Sequence, residues 1–92
     1  MIIPLSEGMV VEVKDLGICE ITEPRKTIAT ALVRRMALEG RYVVPTSEDE
    51  VNVPFRDITH RLDFYWNNSN HLVCDKTEID WESVMEGSHN GD

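Results

Sequence analysis

The sequence predicts an α+β domain, with one long helix at about 24–39 packed on a mainly antiparallel sheet of four to five strands and a short C-terminal helix. Three observations carry that expectation. A period-2 apolar pattern in GMVVEVKDLGICEIT marks a hairpin, TEPRKTIATALVRRMALEG carries helix start and stop signals, and short alternating runs follow from RYVVP to HLVCD.

In the first element, a three-residue loop Asp15-Leu16-Gly17 pairs Lys14 with Ile18, Val13 with Cys19 and Val11 with Ile21. This register gathers Met9, Val11, Val13, Cys19 and Ile21 on one face, whereas a two-residue loop mixes the faces. It also sets Glu12 against Glu20, a like-charge pair read as a solvated face softened by Lys14.

The helix expectation rests on agreement among signals. Thr22 or Glu23 stands at the cap, Pro24 in the first turn, and Gly40 where a left-handed C-terminal cap is wanted. At 100° per residue Ile28, Ala29, Leu32, Val33 and Met36 form one apolar stripe.

Beyond it, RYVVP reads as a strand ending at Pro45, TSEDE as an exposed acidic loop, and VNVPF as a strand that Pro54 confines to an edge, a bulge or an end. A strand follows at about 57–66, with a helical rival for PFRDITHRL. Its even positions Ile58, Leu62, Phe64 and Trp66 are apolar, and His60 lies among them as a core-edge histidine. The turn after Trp66 must have an odd number of residues, Asn67-Asn68-Ser69 or five in all, because only then do Leu62, Phe64, Trp66, Leu72 and Cys74 share a face. Thr77 and Asp80 suggest a helix at about 78–86.

The chain has 92 residues, which allows one domain, placed at 1–87 with 88–92 as a disordered tail. No apolar run approaches the ~20 residues of a membrane-spanning helix, and no basic leader precedes an apolar segment, so a cytoplasmic address is expected. Cys19 and Cys74 lack paired spacing and read as reduced thiols on apolar faces. His71 and Cys74, three apart in a strand, point to opposite faces and make a poor ligand pair. No nucleophile, phosphate-loop, dinucleotide or zinc motif occurs, so the sequence predicts no catalytic residue, no metal and no cofactor.

The net charge of −8 is uneven: residues 1–46 hold six acids and six bases, while residues 47–92 hold eleven acids against Arg56, Arg61 and Lys76. Two surfaces follow. The acidic one comprises Glu48, Asp49 and Glu50 with Asp80, Glu82 and Glu86, and Trp81 is its anchor or else docks on its own sheet. The basic one, on the expected helix, comprises Arg25, Lys26, Arg34 and Arg35.

The acidic surface makes the leading expectation a small non-enzymatic binding protein that inhibits or modulates nucleic-acid machinery by filling a basic groove. Phage anti-restriction and anti-CRISPR proteins offer an analogy of size and charge. The alternatives are a nucleic-acid or ribonucleoprotein binder acting through the basic residues, and a small structural or homo-oligomeric subunit. Free duplex DNA is disfavoured as a partner by long-range repulsion.

Overall fold

The computed structural model describes residues 3–84. Six antiparallel strands form one sheet: β1 (Val10–Val13), β2 (Gly17–Arg25), β3 (Thr30–Glu39), β4 (Tyr42–Pro54), β5 (Ile58–Trp66) and β6 (Leu72–Glu78). Their order across the sheet is β4-β3-β2-β1-β5-β6. A helical turn at 81–84 closes the described chain.

The connection between β4 and β5 dictates the curvature. Four strand spacings of a flat sheet separate these strands, about 19 Å. The chain from Pro54 to Ile58, a 3-10 turn over Phe55–Asp57, reaches at most about 14 Å even if extended. The sheet must therefore coil, bringing the end of β4 toward the start of β5 and enclosing one face.

That enclosed face is the core. Val11, Val13, Cys19, Ile21, Ala31, Val33 and Ile58 are essentially inaccessible, and Val53, Phe55, Ile3 and Leu5 pack with them. The molecule is nonetheless elongated, 46 × 31 × 20 Å, as expected where hairpins run beyond a small core. The tips of the β3–β4 and β5–β6 hairpins meet there, with the Arg41 guanidinium 5.4 Å from the centre of the Trp66 ring.

The long helix predicted at 24–39 is absent, and with it the α+β class: this is a nearly all-β fold. Pro24 lies within β2 opposite Ala31, and Lys26–Ile28 form a 3-10 turn that ends at Ala29, whose φ is 54°. Ala31 and Val33 enter the core by strand alternation, while Ile28, at the head of the expected helical stripe, is 59% exposed. Pairing with β2 and β4 on both sides of β3 outweighs a helix propensity that Thr27, Ile28, Thr30 and Val33 already weaken. Gly40 does adopt a positive φ of 61°, but in the two-residue turn joining Glu39 to Tyr42.

The first hairpin keeps its expected faces with the pairing displaced by two residues. Val13 faces Gly17, Val11 faces Cys19 and Glu12 faces Ile18, so the predicted Glu12–Glu20 pair does not form. In the last hairpin Trp66 faces Leu72 and Phe64 faces Cys74 across a five-residue loop, the longer of the two odd lengths. That face departs from the main core after Ile58: Trp66 is 44% exposed and Cys74 is exposed, although the sequence grouped both with Leu62 on one apolar face.

A bulge explains the loss. Val13 pairs with Ile58 but Glu12 with His60, so Thr59 is an extra residue in β5. Ile58 faces the core and the later even positions lie on the opposite face of the sheet. Leu62 is buried apart from the main core, in a groove that Val10, Val43 and Phe64 also line. At the C-terminus, β6 runs through the residues expected to begin a helix, and Asp80 rather than Thr77 caps the turn. The rest of the expected helix and the tail at 88–92 lie outside the described residues.

Candidate functional site

The expected acidic loop TSEDE is a protrusion from an edge strand. β4 pairs Glu50 with Arg34 and Pro45 with Met36, so Thr46, Ser47, Glu48 and Asp49 together face Arg35 alone. The excursion is tied at its base by Thr46 Oγ1 donating to Arg35 O (3.2 Å) and internally by Asp49 N–H donating to Ser47 Oγ (3.0 Å). Edge bulges of this kind re-aim side chains, and here Glu48 and Asp49 are exposed. Among the described residues no base lies within ion-pair distance of either. A groove of about 570 Å³ separates the excursion from Arg34.

Glu50 differs. It shares Arg34 with Glu20, at 3.6 and 3.7 Å, in a ladder across β4, β3 and β2. The Arg34–Glu50 pair thus joins a residue of the expected basic surface to one of the expected acidic surface.

The basic group is dispersed. Arg34 and Arg35, adjacent in a strand, point to opposite faces; Arg25 bonds Glu23 at 2.7 Å; Lys26 lies in the 3-10 turn. A continuous basic face required the helix.

The second acidic group follows β6, the other edge strand in the order of the sheet, and no described hydrogen bond or ion pair joins Asp80 or Glu82 to the excursion. The Asp80 carboxylate accepts from Ser83 N–H (3.1 Å) and Ser83 O–H (2.8 Å), which holds its pKa below the usual value. Glu82 is exposed. Glu86 lies outside the described residues. Trp81 is turned inward: its indole N–H donates to Ile58 O at 2.8 Å and its ring stacks on Phe55, centroids 5.6 Å apart. The same two aromatics, with Ile3, Ala29, Pro54, Arg56 and Val84, line an apolar cleft of about 260 Å³.

One polar cluster escaped sequence reasoning. Glu12 receives Lys76 Nζ at 3.0 Å and lies 3.2 Å from His60 Nδ1, which also contacts Thr59 Oγ1 at 2.9 Å. The Lys76 hydrogen bond, reinforced by the charges of Lys76 and His60 and opposed by desolvation, holds the Glu12 carboxyl below its ordinary range. Its members come from β1, β5 and β6, and the bulge that aligns them leaves no mark in a period count. Exposed Leu38, Tyr42 and Tyr65 were likewise missed as a group. Their one signal is position near two hairpin turns.

Desolvation raises the pKa of both thiols, Cys19 and Cys74, which disfavours the thiolate form of each. Among the described residues no cluster of three or more His, Cys, Asp or Glu could hold a metal, and no helix is long and apolar enough to cross a membrane. No protein-family model, curated protein or solved structure matches the chain.

Proposed function

We propose that the chain is a small acidic, non-enzymatic binding protein that inhibits or modulates a nucleic-acid-handling protein by occupying its basic groove, in the manner of phage anti-restriction or anti-CRISPR proteins. The observation that carries this reading is the β4 excursion, which presents Glu48 and Asp49 exposed with no described base within ion-pair distance. Carboxylates so placed steer a basic surface at long range and compete with phosphates at contact. The test is affinity capture from the native host with wild-type bait, repeated with Glu48→Gln plus Asp49→Asn. Loss of the captured protein from the second bait, and weakening with salt, support the reading; capture unchanged by both overturns it.

A second reading, a subunit that completes a homo-oligomer, draws on the exposure of Leu38 (52%), Tyr42 (70%), Tyr65 (45%) and Trp66 (44%) at the two hairpin tips. Sedimentation that stays monomeric at high concentration removes it.

A further inference from the structure

The two edges of the sheet are built differently. β4 is guarded by Pro45, Pro54 and the excursion, three devices that block pairing with another chain. β6 has none of them: it contains no proline, and its register with β5 runs unbroken from His60–Glu78 to Trp66–Leu72.

The hydrogen-bond phase fixes which backbone groups it offers. Ile79 N–H donates to Thr59 O (2.9 Å) and Asn67 N–H to His71 O (3.0 Å), at opposite ends of the same ladder. Odd-numbered residues of β6 therefore bond β5, and Leu72, Cys74, Lys76 and Glu78 turn N–H and C=O away from it. No other described strand meets that edge.

Charge selects the occupant. Asp75 directly faces Asp63 across the strands, a repulsive pair whose one ion-pair partner among the described residues is Arg61, 3.3 Å from Asp63. Glu78, Asp80 and Glu82 continue the acidic run, while Lys76, the one base in β6, is engaged by Glu12. A second copy is a poor fit, because the antiparallel register that uses all of β6 sets Asp75 on its own counterpart. The half-buried Leu72 and Val73 at the start of the strand offer apolar contact.

We propose that the outer edge of β6 accepts an extended basic segment of a partner protein as an added strand, with cationic side chains beside Asp75 and Glu78 and apolar ones beside Leu72 and Val73. The inference goes beyond the functional reading above and does not depend on the β4 excursion.

The test uses as probe an extended octapeptide with adjacent valines at the end that meets Leu72 and Val73 and adjacent lysines at the end that meets Asp75 to Glu78, with amide exchange of the full chain followed residue by residue by NMR. On binding, the amides of Leu72, Cys74, Lys76 and Glu78 slow by at least about tenfold while those of β4 do not. Asp75→Asn with Glu78→Gln weakens the peptide about 3- to 10-fold, and Glu48→Gln with Asp49→Asn leaves it unchanged. A peptide methylated on alternate backbone nitrogens, which keeps every charge, loses binding. The proposal is overturned if the methylated peptide binds equally well, if protection appears elsewhere, or if no binding is seen up to about 1 mM. It is also overturned if the β6 amides are already protected in a dimer of the protein alone.

Discussion

Replacing Trp81 by Ala decides whether this side chain belongs to the fold or is left for a partner. In the structure the substitution removes the bond to Ile58 O and the stack on Phe55, and opens one wall of the apolar cleft. A half-buried indole covers on the order of 100 Å² of apolar surface, about 2.5 kcal/mol at about 25 cal/mol/Å². The hydrogen bond and the ring pair contribute about 1 kcal/mol each. A loss of about 3–5 kcal/mol is expected, in the range of Trp-to-Ala changes in cores. Each kcal/mol lowers Tm by about 4–8 °C for a domain of this size. Urea unfolding followed by far-UV circular dichroism measures the change, and Trp81→Phe isolates the hydrogen bond at about 1 kcal/mol. A loss below about 0.5 kcal/mol for Trp81→Ala, typical of an unconstrained surface site, refutes the docked arrangement and returns Trp81 to the pool of partner anchors.

Other expectations are as direct. Glu12 is held below its ordinary pKa of 4.5, so its stabilising effect is present above that value and is lost as pH falls through the lower folded value. Urea midpoints measured across that window should fall less steeply in Lys76→Met than in wild type. Val33→Ala, at a fully inaccessible site between β2 and β4, should cost about 2–3 kcal/mol by equilibrium unfolding. Arg41→Ala should cost about 0.5–1 kcal/mol and change Trp66 emission, because the guanidinium lies over that ring; unchanged emission means the hairpin tips do not meet. Gly40→Ala forces a side chain to φ 61° and should cost about 1–2 kcal/mol, read as a lower Tm.

The sequence betrays its strands where alternation is strict and turn chemistry agrees. GMVVEVKDLGICEIT revealed the faces of the first hairpin, although a slip of two residues preserves every face and so cannot be detected by pattern. Pro54 correctly confined its strand, which forms the edge and ends there. The helix reading failed because 24–39 satisfies both templates: Leu32, Val33 and Met36 suit a 100° stripe, and Ala31 with Val33 suits a 180° one. Gly40 has a left-handed φ under either. Only the neighbours β2 and β4 break that tie, and they are a long-range property. At the candidate site, the exposed acids of TSEDE were legible from composition. Which strands carry the two acidic groups was not, since it depends on strand order. The Glu12–Lys76 contact joins residues 64 apart and follows from the extra residue at Thr59.

The turn at Phe55–Asp57 has a consequence for the order in which the chain can fold. β2, β3 and β4 pair through short local connections, but β1 meets β5 with Val11 opposite Arg61, across most of the chain. Closure of such a distant contact carries an entropic cost that local pairings do not, and it places folding among the slower topologies. During synthesis, a chain that has emerged only as far as Asp57 has built four strands and left the other side of β1 open, with Val13 not yet covered by Ile58. That interval is when the nascent protein is most exposed to mispairing, and it ends when the last third of the chain arrives.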